Sequence, residues 1–215
     1  MKYSTIIWDW NGTLLNDIEL CVRIVSELAE THRDNPLTVE EYKAVFGFPI
    51  VDYYQKIGID FTKESFESLT KKFISQYNNK VRNCNLHQGV SATLDLFQQR
   101  NLSQFILTAA HKKDVEQLLL HFDIDDYFQG IEGLDNYRAE SKVERGRELI
   151  RRHGIEKEKT VLVGDTIHDY EVASEIGVDC ILISNGHQSR DRLLSGMPVQ
   201  ERVQDRIETI HNLIF

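Results

Sequence analysis

The chain has 215 residues, 41% hydrophobic and 27% charged, a globular composition sized for one domain or for a core carrying an insertion. A net charge of −9 and a pI near 5.4 argue against a nucleic-acid binder, which presents a basic face. Cys21, Cys84 and Cys180 share no C-x-x-C spacing, so neither a disulfide framework nor a zinc motif is expected, and the three read as small apolar packing groups in a reducing cytosol. The opening MKYSTIIWDWNGT reaches Asp9 too early for the apolar region of a signal peptide, and no apolar run approaches the roughly 18 residues of a membrane span. A cytoplasmic protein is expected.

Tyr3 to Asp9 contains Thr5, Ile6, Ile7 and Trp8 and predicts a buried strand, closed by an Asn11-Gly12 turn. Ile18, Cys21, Val22, Val25, Leu28 and Ala29 recur at helical spacing, predicting an amphipathic helix over residues 16–32 that Asn35-Pro36 breaks. Further helices are expected at 38–46, 50–57 and 63–79, the last with Phe66, Leu69, Phe73, Ile74 and Tyr77 on one face. Beyond residue 86 the pattern alternates. Strands are expected at Gln104–Thr108, Gly130–Gly133, Thr160–Gly164 and Cys180–Ser184. Helices are expected around Val90–Phe97 and Val115–Phe122, at 140–153 and 169–176, and near Ile207–Ile214. This alternation is what a parallel sheet requires. The expected fold is α/β: a doubly wound, Rossmann-like core of residues 1–14 and 86–215, with an α-helical insertion at 15–85.

Open parallel sheets bind ligands beyond the carboxyl ends of their strands. Asp9, Thr108 and Asp165 occupy such ends, Asp169 lies one helical turn past Asp165, and Lys142 sits near the start of its helix. Taken singly, Asp169 reads as a helix cap, Thr108 as a strand-end residue and Lys142 as a solvated lysine; five such residues converging on one sheet edge point to a site instead. Crowded carboxylates stay ionised together only around a cation. Oxygen donors without a Cys or His cluster suit Mg²⁺, and a metal beside a lysine and a hydroxyl makes a receptor for phosphoryl oxygens.

DWNGTLL at 9–15, Thr108, Lys142 and GDTIHD at 164–169 resemble, in order and spacing, the four motifs of the haloacid dehalogenase-like superfamily, and within it the phosphoglycolate phosphatase-like group, whose helical cap follows the first motif. The resemblance implies a Mg²⁺-dependent phosphatase acting on a small phosphorylated metabolite. Asp9 would be the nucleophile that forms an aspartyl-phosphate. Asp9, Asp165, Asp169 and the backbone carbonyl of Asn11 would serve the metal. Thr108, Ala109 and Lys142 would bind the phosphoryl group, with Phe48 on the cap loop reading the substrate. Nucleic-acid and membrane partners are not expected, and the oligomeric state is not legible.

Asn11 departs from the pattern. Related phosphatases carry at this position a second aspartate that protonates the leaving alkoxide and then activates water, and an amide does neither. Such help is worth about 10²–10⁴-fold, so a slow enzyme or one selective for good leaving groups is expected. Val143 after Lys142 and Gln88 before Gly89 replace prolines common in the family, and Lys112 and Lys113 compete for the lysine role. His111, His168 and His187 read as surface histidines or as neighbours of the site, and Trp8 and Trp10 as packing groups. Alternatives are a phosphate-binding relative without turnover and a metal-free carbon–halogen hydrolase. A receiver-type signalling domain fits poorly, because the acidic pair comes last.

Overall fold

The computed structural model describes residues 2–134 and 141–215. The elements in chain order are β1 (Thr5–Trp8), β2 (Leu15–Asn16), α1 (Ile18–Ala29), α2 (Val39–Val45), α3 (Ile50–Lys56), α4 (Phe66–Lys80), β3 (Asn85–Leu86), α5 (Val90–Gln99), β4 (Ser103–His111) and α6 (Lys112–His121). There follow β5 (Gly130–Leu134), α7 (Lys142–His153), β6 (Thr160–Gly164), α8 (Ile167–Ile176), β7 (Asp179–Ile183), α9 (Arg190–Gly196), β8 (Val203–Gln204) and α10 (His211–Ile214).

Six strands form one parallel sheet in the order β5-β4-β1-β6-β7-β8. β1 lies in the middle, with Ile7 opposite Phe105 on one side and Leu162 on the other. Successive residues feed opposite faces, as strand geometry demands. Ile6, Trp8, Ile106, Val161 and Val163 join one buried cluster with Leu94 and Phe97 of α5 and Val115 and Leu119 of α6. Ile7, Phe105, Leu107 and Leu162 join the other, with Leu149 of α7 and Val172 and Ile176 of α8. Both faces are therefore covered, which explains the apolar runs TIIW and TVLVG. The strand order reverses at β1, so the crevice beyond its carboxyl end lies between β4 and β6.

Residues between β2 and β3 are helical apart from their connections. α2 opens on a capping box: Glu41 N donates to Thr38 Oγ1 at 3.1 Å, and Thr38 N to Glu41 Oε2 at 3.0 Å. Leu28 of α1, Tyr42 of α2, Tyr53 of α3 and Leu69 of α4 are all buried in the cluster that also holds Trp10. The two crossings into and out of this segment run side by side, Leu15 opposite Leu86 and Asn16 opposite Asn85 in an antiparallel pair. Residues 15 and 85, the boundaries expected from sequence, lie in these two strands.

Some elements differ from expectation. The first helix starts at Ile18, behind Asp17, whose main-chain carbonyl accepts from Cys21 N at 2.9 Å while its carboxylate turns back to Gly12 N, 3.1 Å away. β4 runs on to His111 through a register shift against β5 between Leu107 and His111. The expected 63–79 helix starts later, at Phe66, behind Ser65 as its cap. α7 starts at Lys142, capped by Ser141, and Glu140 lies outside the described residues. The expected C-terminal helix is a 3₁₀ turn at Ile207–Ile210 followed by one turn of α10. No helix among the described residues is long and apolar enough to cross a membrane.

Candidate active site

The loop after β1 folds tightly on itself. Trp10 O accepts from Leu14 N and Leu15 N, both at 3.0 Å, and Gly12 N donates to Leu15 O at 2.9 Å. Gly12 has φ +73°, and a Cβ there would collide with the Asp165 carboxylate and the His187 ring. Only glycine meets both demands. A Cβ at Gly186, on the loop after β7, would also strike Asp165. Two glycines thus hollow out the space around that carboxylate.

Asp9 follows β1, and its N–H donates to Val163 O at 2.8 Å, tying it to β6. Its carboxylate, that of Asp165 and that of Asp169 offer oxygen atoms within 4.8 Å of one another, all on buried residues. Lys142 Nζ enters from the start of α7 and lies 2.5 Å from Asp9 Oδ1 and 2.6 Å from Asp169 Oδ1. Thr13 Oγ1 lies 3.1 Å from Asp165 Oδ1 and 3.4 Å from Asp9 Oδ2. The other oxygen of Asp169 accepts from Thr166 N at 3.0 Å and Thr166 Oγ1 at 2.7 Å. Asp169 therefore serves the start of α8 and the lysine at once. Thr108 is buried on β4, its Oγ1 accepting from Ala110 N at 3.0 Å; Ala109 is exposed beside it. Phe48 is 46% exposed, with its ring centroid 4.8 Å from that of His168. Asp9, Asn11, Phe48, Thr108, Ala109, Lys142, Asp165 and Asp169 all line one cavity of about 460 Å³, and Lys112 and Lys113 do not.

The charges do not balance. Burial raises Asp9 to about 7; Asp169 and Asp165 push the same way, and Lys142 opposes them. Burial also lifts Asp165 to about 6, opposed by His187 and reinforced by Asp169. Asp169 escapes this fate: burial would raise it, but Lys142 holds it below the ordinary carboxylate range. Lys142 is likewise held above its ordinary value by Asp169 and Asp9 in spite of burial. Three carboxylates against one ammonium, with oxygen donors only, make a cradle whose chemistry fits a hard divalent cation. A divalent cation bound there, at about 100 times its dissociation constant, is expected to stabilise the protein by about 2.7 kcal/mol and raise Tm by roughly 5–10 °C. Differential scanning fluorimetry checks this, and Asp165→Asn should remove most of the shift.

A second network lies against the first, and sequence reasoning missed its centre. Asp17 Oδ2 accepts from Asn11 Nδ2 at 2.8 Å and Tyr77 OH at 2.7 Å, and Asp17 Oδ1 meets His187 Nε2 at 3.1 Å. Cys21 packs in the buried apolar cluster, as expected of it, with its Sγ 3.7 Å from the same carboxylate. Burial, and Asp17 beside it, keep its thiol protonated well above the ordinary range. His187 meets Tyr42 OH through Nδ1 at 2.9 Å and donates its main-chain N–H to Asp165 Oδ2 at 2.6 Å. Burial disfavours its charge, but Asp17 overrides that and raises the imidazole to about 9. Asp17 is in turn held ionised, against burial, by His187 and by the Tyr77 and Asn11 hydrogen bonds. The signal for His187 was its place past the carboxyl end of the CILIS strand.

This network fixes the Asn11 amide. Its Nδ2 faces two acceptors, Asp17 Oδ2 and Tyr77 OH at 2.6 Å, which are themselves 2.7 Å apart.

The model for haloacid dehalogenase-like hydrolases matches residues 6–183. The chain belongs to the haloacid dehalogenase-like hydrolases. It is 27% identical over 207 residues to a 5'-nucleotidase of Pseudomonas aeruginosa, covering 92% of this chain and 90% of the relative. It is 22% identical over 192 residues to the pyrophosphatase PpaX of Halalkalibacterium halodurans, covering 89% and 88%. A haloacid dehalogenase-like hydrolase from Streptococcus pneumoniae shares the fold, with a TM-score of 0.80 at 18% identity over 99% of both chains. Family membership makes the protein a hydrolase of this α/β fold.

Proposed function

We propose that this haloacid dehalogenase-like hydrolase is a Mg²⁺-dependent phosphatase of small phosphorylated compounds, working through an aspartyl-phosphate on Asp9. The observation that carries the reading is the Asp9 carboxylate, held between Lys142 and Thr13 at the switch point of the sheet. The names of the relatives, a 5'-nucleotidase and a pyrophosphatase, support phosphoryl chemistry. Asp9, Asp165, Asp169 and the Asn11 backbone carbonyl are the groups that would hold the metal. The chemistry expected of Mg²⁺ there is neutralisation of the clustered carboxylates and of the phosphoryl oxygens.

Asp9 attacks phosphorus, and the bond from phosphorus to the leaving oxygen breaks. Lys142 and the Thr108 hydroxyl bind the phosphoryl oxygens during transfer, beside Ala109. Water then cleaves the phosphorus–oxygen bond to Asp9, releasing phosphate and restoring the carboxylate. Covalent catalysis of this kind splits one hard displacement into two easier ones. Residues 15–85 act as a cap that keeps bulk water from the first step. Gln188 Nε2, donating to Phe46 O at 2.9 Å, and Lys43 Nζ, donating to Ser184 O at 3.1 Å, hold the helical segment over the sheet edge.

Asn11 favours one rival reading, a phosphate-binding relative without turnover. Phosphate release with Mg²⁺, compared with an Asp9→Asn blank, separates the two: release above the blank from acyl phosphates supports the enzyme. Asn11→Asp provides the sharper test. The new carboxyl would face the Asp17 carboxylate, and repulsion would keep it protonated as an acid. Turnover of an alkyl phosphate is expected to rise about 100-fold, the low end of general-acid help. No gain would remove the acid–base explanation of residue 11.

A further inference from the structure

Two observations narrow the substrate when taken together. The first concerns protons. Around Asn11, the Tyr77 hydroxyl donates to Asp17, His187 Nε2 faces Asp17, and its Nδ1 faces Tyr42. The Asn11 amide nitrogen faces Asp17 and Tyr77 OH. The Asn11 amide is no acid, so it supplies no proton to a leaving oxygen. An alkoxide, with a conjugate acid near that of water at about 16, leaves badly without one. A phenolate, near 10, leaves far more readily.

The second concerns the cavity. Beyond Asp9 its wall is aromatic: Phe46, Phe48, Tyr54, Phe66, Phe73 and Tyr77 all line it. Among the described lining residues Lys142 is the one lysine or arginine, and Asp9 and Asp169 already occupy it. The charged His187 imidazole is taken up by Asp17, so among the described lining residues a second phosphate or a carboxylate on the substrate would meet no unpaired cation, at the cost of burying an unpaired charge. A volume of about 460 Å³ falls at the small end of ligand sites. A flat, uncharged ring fits such a wall by offset or edge-on contact.

We infer that the preferred substrate is a phosphomonoester of a phenol, carrying one phosphate and an uncharged aromatic ring. Alkyl phosphates fail on the leaving group, and diphosphate and carboxylated phosphates fail on the cavity; an aryl phosphate satisfies both. In the first step Asp9 bonds to phosphorus while the bond from phosphorus to the phenolic oxygen breaks. The electron pair leaves on the phenolate, which takes its proton from water once it has left. Hydrolysis of the aspartyl-phosphate then consumes one water and returns hydrogen phosphate, so the sum is aryl phosphate plus water to phenol plus phosphate.

This inference rests on the phosphatase reading, and the test keeps the two apart. kcat/KM is measured with Mg²⁺ for phenyl phosphate, ethyl phosphate, acetyl phosphate and diphosphate, with Asp9→Asn as the blank. Phenyl phosphate is expected to exceed ethyl phosphate by at least about 100-fold, and to exceed acetyl phosphate and diphosphate as well. Across ring-substituted phenyl phosphates the rate should fall steeply with rising phenol pKa, and Asn11→Asp should flatten that slope. Phe48→Ala should lower the ratio of phenyl to acetyl phosphate about tenfold, and Phe48→Tyr should restore it. Equal rates on phenyl and ethyl phosphate, a flat slope in the wild type, or a ratio unmoved by Phe48→Ala would overturn the inference. Turnover of acetyl phosphate without phenyl phosphate would sink the inference alone; no turnover of any of the four above the blank would sink the phosphatase reading with it.

Discussion

Asp9→Asn is expected to lower phosphate release by at least about 10⁴-fold, whatever the substrate, because an amide oxygen cannot serve as the nucleophile. The change is nearly isosteric, and the main-chain N–H that ties residue 9 to Val163 O is untouched, so the fold should persist. The stability effect should carry a sign of its own. Asp9 has a folded-state pKa raised from the usual carboxylate value to about 7, chiefly by burial. Its ionisation therefore weakens the folded state as pH climbs from about 4 through 7. Without Mg²⁺, the difference in Tm between Asp9→Asn and the wild type should shift in the variant's favour across that window. Steady-state phosphate release, together with melting curves in a chelator at pH 5 and pH 8, tests both parts. Residual release within tenfold of the wild type would remove Asp9 from the nucleophile's role.

Lys142→Met is expected to destabilise the protein by about 3–5 kcal/mol and to abolish turnover. The ammonium is 4% exposed and lies within ion-pair distance of two buried carboxylates. Removing it leaves Asp9 and Asp169 without their counter-ion, and the penalty of an uncompensated buried charge exceeds what the pair contributed. Added Mg²⁺ should recover part of the loss, since a cation in the acidic cradle answers the same repulsion. Lowering the pH should also recover part of it, as the orphaned carboxylates take up protons. Lys113, exposed near the start of α6, provides the control: Lys113→Met should stay within about 0.5 kcal/mol. Chemical denaturation of the two variants with and without Mg²⁺ gives the comparison. A cost below about 1 kcal/mol for Lys142→Met would mean that the ion pair does not anchor the site.

What could be seen in the sequence follows from the range of each interaction. TIIW and TVLVG are apolar because both faces of the sheet are covered, so the aspartates ending them announced themselves as residues of its edge. Thr108 could be placed for the same reason. Lys142 could not be separated from Lys112 and Lys113 by spacing alone, because its identity depends on α7 delivering its Nζ to Asp9 across the sheet edge. Asp17 and His187 meet over 170 positions of sequence, and no local pattern encodes such a contact. The helical spacing of Cys21 placed it in the apolar cluster, but not its Sγ beside the Asp17 carboxylate, a contact that spacing does not encode. The two-residue strands β2, β3 and β8 are too short to carry an alternation.

Because Leu15 faces Leu86 and Asn16 faces Asn85, the stretch between them leaves and rejoins the rest of the chain at one seam. Its ends already meet, so a tight turn across that seam would close the remaining polypeptide at small entropic cost. The helical stretch is in this sense separable: another segment spliced in at the seam is expected to leave the register of β1 with β4 and β6 intact. One residue must travel with any replacement. The Asp17 carboxylate receives the Gly12 N–H from just inside the seam, and a graft lacking that acceptor would loosen the turn that aims Asp9.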